Sequence, residues 1–143
     1  MTIDAELVTR KLLLIATDLE PLRAIHARGR DPFLANPFDQ AVVERLLERA
    51  VTRMIDINYH LITASGQPPP SDYHVSFVRL GDMQVLDRAF ATRIARAAGL
   101  RNRLVHDYED IDPGKVYDAL DSALADVPIY LSGVNAFLKR SVS

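Results

Sequence analysis

Histidine and arginine are the residues with which this 143-residue chain could do acid–base or phosphate chemistry, because it contains no cysteine. That absence removes a thiolate nucleophile, a thiolate zinc site and a disulfide framework. Five arginines (Arg88, Arg93, Arg96, Arg101 and Arg103) stand against a single acid between Asp87 and His106, in a chain whose net charge is −2. Most of them have no Asp or Glu at i±4, the spacing that a salt-bridged solvent face uses. Guanidinium groups displayed without carboxylates are suited to phosphate, which they bind through two parallel charge-assisted hydrogen bonds. Of the four histidines, His26 reads as a helix C-terminal charge, His60 as structural or capping, and His74 as surface. His106 differs because of its neighbours in the run Gly99-Leu-Arg-Asn-Arg-Leu-Val-His106-Asp-Tyr108. There is no HExxH pair and no His/Asp/Glu cluster with ligand spacing, so neither a metal nor a cofactor is expected.

Those residues have to be held by helices. Apolar residues recur at spacings of three and four, and no segment alternates with period two, which predicts an all-α protein. A first helix carries Val8, Leu12, Ile15, Leu19 and Leu22, capped by Thr2 or Asp4. A second carries Val43, Leu47, Ala50, Met54, Ile57 and Leu61, opened by Asp39 and closed near Ser65-Gly66. A third runs from Leu86 through Phe90, Ile94 and Ala97 toward Leu104. The last has Val116, Leu120, Leu124, Val127, Leu131, Val134 and Leu138, with Asp112 as cap, Pro113 at its start and an interrupting kink at Pro128. Tyr73 to Leu80 makes a short helix ending at Gly81, while residues 29–37 and 65–71 read as connections. The expectation is one domain over residues 1–143, an antiparallel bundle of four long helices plus one short one. Phe33, Phe38, Tyr59 and Phe77 are more aromatic groups than the stripes need and suggest a homodimer.

On a continuous helix Arg101 and His106 stand about 140° apart, whereas Asn102 and His106 share a face, as do Arg101 and Tyr108. Convergence of Arg101 and His106 on one phosphate therefore needs the helix to loosen or end near Val105, or needs two chains. The run Asp110-Ile-Asp-Pro-Gly114 places the helix end near Tyr108.

Arg101-Asn102-x-x-x-His106 resembles the R-[polar]-x(3–5)-H signature of HEPN-domain ribonucleases. The longer RNRLVHDY, followed by Ile111-Asp112 and a final amphipathic helix, resembles the HepT toxins of HepT/MntA toxin–antitoxin modules. The motif spans about a tenth of the chain, and the family's small all-α bundle agrees with the helices read above. The resemblance implies a metal-independent endoribonuclease that works as a homodimer, with Arg101 and His106 of both copies as the catalytic residues. It implies as partner an MntA-like nucleotidyltransferase antitoxin that transfers AMP to Tyr108, and RNA as substrate. The residue types fit. Cleavage needs a base for the 2′-hydroxyl proton, an acid for the 5′-oxygen and positive charge for the transition state. Asn102 is suited to orient His106 or the phosphate, Arg103 and Arg96 to bind the RNA backbone, and Tyr108 to stack on a base.

The overall charge gives no attraction to nucleic acid, so binding must come from this local patch. Near the N-terminus the longest apolar run is Leu12 to Ala16, too short for a signal segment or the ~20 residues of a membrane span. A cytoplasmic protein without membrane association is expected. The alternative reading is a non-catalytic HEPN-like module that binds nucleotide or docks a nucleotidyltransferase. A bundle used only for docking has no need of both Arg101 and His106.

Overall fold

A computed structural model describes residues 2–106 and 111–142, the side chains of 106 and 142 excepted. Its described residues form seven helical segments: α1 (Ala5–Ala27), α2 (Arg30–Leu34), α3 (Pro37–Ala64), α4 (Tyr73–Asp82), α5 (Arg88–Ile94), α6 (Arg96–His106) and α7 (Pro113–Val142). The fold is all-α, as the periodicity predicts.

Side-chain carboxylates and amides at the expected type of position start these helices. The Asp4 side chain accepts from the backbone of Leu7, Asp72 from Val75 and Asp87 from Phe90. Each satisfies one of the amide groups that the first turn leaves without an intrahelical partner. Asp112 accepts from the Gly114 amide at 2.9 Å ahead of α7, the role the sequence assigns it. The second long helix starts earlier than expected. Asn36 is its cap and Pro37 its first residue, so Asp39 lies in the first turn, where it is buried against Arg28. Proline fits there because the first turn has no use for its missing N–H.

The three long helices supply most of a contiguous core that runs from Val8 to Leu138. Helix α1 contributes Val8, Leu12, Ile15, Leu19, Leu22 and Ile25; α7 contributes Val116, Leu120, Val127, Tyr130, Val134 and Leu138. Both helices run through an internal proline, Pro21 in α1 and Pro128 in α7. Pro128 therefore does not interrupt the last helix. An internal proline costs ~3 kcal/mol, and each fully buried aliphatic side chain returns ~1.5–3 kcal/mol. Buried residues on both sides of Pro128 thus outweigh the lost hydrogen bond.

Two other expectations differ from the structure. The connection at residues 29–37 contains the short α2, whose Phe33 is buried and whose Pro32 falls in its first turn. The third run divides into α5 and α6 at Ala95, where Ala98 N–H bonds the Ala95 carbonyl at 3.1 Å. That i→i+3 bond tightens the chain locally and redirects it, which spacing alone cannot reveal.

Polar contacts fix how the helices sit. Asp18 of α1 is buried and faces two arginines of α3, Arg53 at 2.8 Å and Arg49 at 3.5 Å. The Tyr130 hydroxyl of α7 donates to Asn58 Oδ1 of α3 at 2.6 Å and lies 3.0 Å from the Met54 carbonyl. Asn58 Nδ2 donates to Ser76 Oγ of α4 at 3.1 Å, and Ser76 Oγ donates to the Tyr73 carbonyl at 2.6 Å. This buried chain ties α7, α3 and α4 together. Burial holds the Tyr130 phenol well above the usual tyrosine range. Close approach also needs small residues. A Cβ on Gly81 would stand 2.9 Å from Ala91 Cβ, and one on Gly133 would stand 2.8 Å from Leu86 Cδ2.

Of the four surplus aromatic residues, Phe33 and Phe77 are core and Tyr59 is half-buried. Phe38 is 76% exposed, so only this one presents a ring broadly to solvent. No described helix is long and apolar enough to cross a membrane.

Candidate active site

Helix α6 carries the arginine-rich motif and straddles α3. Ala98 is buried and Leu100 and Leu104 pack against the core, so the motif residues between them project to either side. At 100° per residue, Arg96 and Arg103 (i, i+7) share one flank, while Arg101 falls on another.

Arg101 points between α3 and α4. Its Nε donates to Thr52 Oγ1 at 3.4 Å, and its guanidinium lies 5.3 Å from the centre of the Tyr73 ring. The ring face attracts the cation and limits its rotation, while the two terminal amino groups remain for a ligand. Thr52, Ile55, Asp56, Tyr59 and Tyr73 join Arg101 around a cleft of about 340 Å³. None of these five neighbours is marked by spacing around the motif. They come from segments 28 to 49 residues away, so only the packing of α6 on α3 and α4 shows them.

Arg96 and Arg103 are exposed on the opposite flank. They border a larger groove of about 440 Å³ between α3, α5, α6 and α7, with Leu47, Met54 and Leu100 among its apolar walls. Neither has an ion-pair partner among the described residues. Arg93, at the rim of the same groove, bonds Asp126 at 3.0 Å, and Arg88 lies 3.8 Å from Asp82. The displayed charge is thus smaller than the sequence suggests, because two of the five arginines find acids outside the i±4 window. Asn102 is exposed. Within one chain the structure therefore separates Arg101 from Arg96 and Arg103.

The backbone of α6 stays helical through His106. The helix does not loosen at Val105, so the backbone positions of Arg101 and His106 stand about 140° apart around its axis. Tyr108 lies outside the described residues. Two of the other histidines have structural partners. His26 Nε2 sits 2.9 Å from Asp121 Oδ1 and the ring stacks on Tyr117. His60 Nε2 accepts from the Asp4 amide at 2.9 Å, literally capping α1, and His74 is exposed. Among the described residues no group of three metal-ligating side chains comes together.

The all-α bundle and the Arg-x(4)-His motif on its penultimate helix define a protein of the HEPN class. Residues 15–134 match the family described as HepT-like ribonucleases, and a tRNA nuclease HepT of Aphanizomenon flos-aquae is 35% identical over 136 residues, covering 95% of this chain and 92% of the relative. The chain belongs to the HepT-like ribonuclease family.

Solved structures share its fold. A tri-AMPylated HEPN toxin of Shewanella oneidensis, in complex with an MNT antitoxin, superposes with a TM-score of 0.81 at 22% identity, covering 95% of this chain and 99% of the toxin. The cytosolic protein YutE of Bacillus subtilis, described as of unknown function, gives 0.83 at 14% identity over 96% of this chain and 92% of that one. At these identities the likeness speaks for the fold.

Proposed function

We propose that this protein is the ribonuclease toxin of a toxin–antitoxin pair, a metal-independent endonuclease that acts as a homodimer on tRNA. The observation that carries the reading is the helical backbone of α6 through His106. That backbone sets Arg101 and His106 about 140° apart on one copy. In the proposed homodimer, two copies facing each other bring the arginine of one toward the histidine of the other. Two histidines then supply what cleavage needs. One removes the 2′-hydroxyl proton as that oxygen attacks phosphorus, and the other protonates the departing 5′-oxygen, leaving a 2′,3′-cyclic phosphate and a 5′-hydroxyl. The Arg101 pair stabilises the charge that builds on the non-bridging oxygens. Asn102 orients His106 or the phosphate, and Arg96 and Arg103 hold the flanking RNA backbone. The choice of tRNA rests on the 35% identical nuclease.

Control falls to a nucleotidyltransferase antitoxin. The Tyr108 oxygen attacks the α-phosphorus of ATP, releasing pyrophosphate and leaving AMP on the ring. The added phosphodiester and purine then compete with RNA for the arginines. Cytoplasmic residence follows from such substrates.

The test is incubation of purified protein with total tRNA in EDTA, comparing wild type with His106→Ala and Arg101→Ala. Cleavage by wild type alone is expected. Activity of His106→Ala in EDTA, or a strictly monomeric active enzyme, would overturn the mechanism. An inert wild type would leave the non-catalytic docking module as the better reading.

A further inference from the structure

The cleft beside Arg101 has features that gripping a phosphate does not require. Two aromatic rings wall it, Tyr59 from α3 and Tyr73 from α4, with centres 6.1 Å apart and planes at 80°. A flat heterocycle stacked on one of these rings meets the edge of the other, the arrangement that aromatic groups prefer. Neither phenol hydroxyl has a hydrogen-bond partner among the described residues. Burial, with Tyr73 and Asp72 nearby, raises the Tyr59 phenol above its ordinary range, so it stays a neutral donor at any physiological pH. At the rim stands Asp56, whose side chain is half exposed and pairs with Lys11 at 3.6 Å. The volume of about 340 Å³ is within the ~300–1,000 Å³ of small-molecule pockets.

We propose that this cleft is a nucleobase subsite, seating the base of a nucleotide whose phosphate Arg101 holds, with Tyr59 and Tyr73 as stacking walls and Asp56 as the group that selects the base. The assignment rests on the ribonuclease reading above. Thr52 and the Tyr73 ring fix the guanidinium at the mouth of the cleft, so phosphate and base are bound by adjoining groups. Stacking tolerates any base, because each has a π face. Selection comes from Asp56, whose carboxylate oxygens accept hydrogen bonds. It favours bases that present an exocyclic amino group (adenine, cytosine or guanine) over uracil, which has none. The Tyr59 hydroxyl can donate to a ring nitrogen or carbonyl of the same base.

Two measurements test this. Single-turnover cleavage in EDTA of short single-stranded RNAs, varied one base at a time around the cut, is compared for wild type, Asp56→Asn and Tyr59→Leu. Wild type should discriminate against uracil at one position by about 5- to 150-fold, and Asp56→Asn should flatten that preference. Tyr59→Leu should raise KM by about 5- to 150-fold without moving the pH profile of kcat, since a lost stacking wall does not touch the acid or base. A wild type that cleaves with the same base preference as Asp56→Asn overturns the subsite. Asp56 is on the surface, so that variant remains informative if Tyr59→Leu does not fold.

The second measurement is an NMR titration of wild type with AMP, CMP, GMP and UMP. Shifts at Thr52, Tyr59 and Tyr73 support the subsite, and shifts confined to other surfaces overturn it. If RNA is not cut but these nucleotides still bind in the cleft, the ribonuclease reading fails while the subsite stands.

Discussion

Replacing Tyr130 by Phe removes one oxygen from the centre of the bundle. The ring, which is fully buried and sits 6.1 Å from the Phe77 ring, keeps its packing. What changes is Asn58. Its Oδ1 loses the donor at 2.6 Å, and no other described group can replace it, because Asn58 Nδ2 and the Ser76 hydroxyl proton are already committed to Ser76 Oγ and the Tyr73 carbonyl. A buried acceptor left without a donor costs ~1–3 kcal/mol, more than the ~1 kcal/mol net worth of an ordinary hydrogen bond. For a chain of this length the unfolding entropy makes each kcal/mol about 3 °C in Tm, so Tyr130→Phe should melt roughly 3–9 °C lower. Tyr117→Phe is the control. That hydroxyl donates to the His26 carbonyl at 3.2 Å in a half-buried setting where water can substitute, so its loss should cost under about 1 kcal/mol. The alkaline limb gives a second reading. The folded phenol of Tyr130 resists ionisation while the unfolded one loses its proton near pH 10, so the unfolded state binds fewer protons and stability falls as pH rises past 10. Tyr130→Phe should remove up to about 1.4 kcal/mol per pH unit of that slope. Circular-dichroism melts from pH 7 to 11 measure both. Equal melting of Tyr130→Phe and Tyr117→Phe at pH 7, or an unchanged alkaline slope, would refute the reasoning.

Arg101→Ala and His106→Ala should each abolish tRNA cleavage and cellular toxicity while retaining wild-type helical content by circular dichroism. Co-expression with the cognate nucleotidyltransferase should add mass in units of AMP, and intact-mass spectrometry of Tyr108→Phe should show none. Gly133→Ala should destabilise by ~1–3 kcal/mol in a urea titration, because its methyl would press on Leu86 Cδ2 at 2.8 Å and the Val85 carbonyl at 3.2 Å. Burial raises the Glu44 carboxyl above its ordinary value, so the folded state holds that proton more tightly and its charge costs stability above the carboxylate range. Glu44→Gln should therefore be the more stable at pH 7 in denaturant titrations, with the advantage fading as pH falls through the raised value and gone below about 4.5.

The helices and the motif were legible in the residues because both are local. Spacings of three and four specify which face a helix buries, and a cap such as Asp4 or Asp112 acts within three residues of itself. The motif from Arg101 to His106 is a contiguous string, so its family likeness needs no folding to be seen. Spacing also puts Arg101 and His106 about 140° apart on a continuous helix; that α6 stays helical to His106 is a property of the backbone. The tertiary structure alone decided which partner each arginine has. Asp126 lies 33 residues from Arg93 and Thr52 lies 49 residues from Arg101, distances in sequence across which a spacing rule carries no information. The same holds for the division of the basic run into two flanks. A break at Ala95, made by one i→i+3 hydrogen bond, turns α6 across α3, and that crossing sets Arg101 beside Tyr59 and Tyr73 and leaves Arg96 and Arg103 along α7. Side-chain type and local period determine the elements; the angle at which they pack, summed over many weak apolar contacts, determines which charged groups meet.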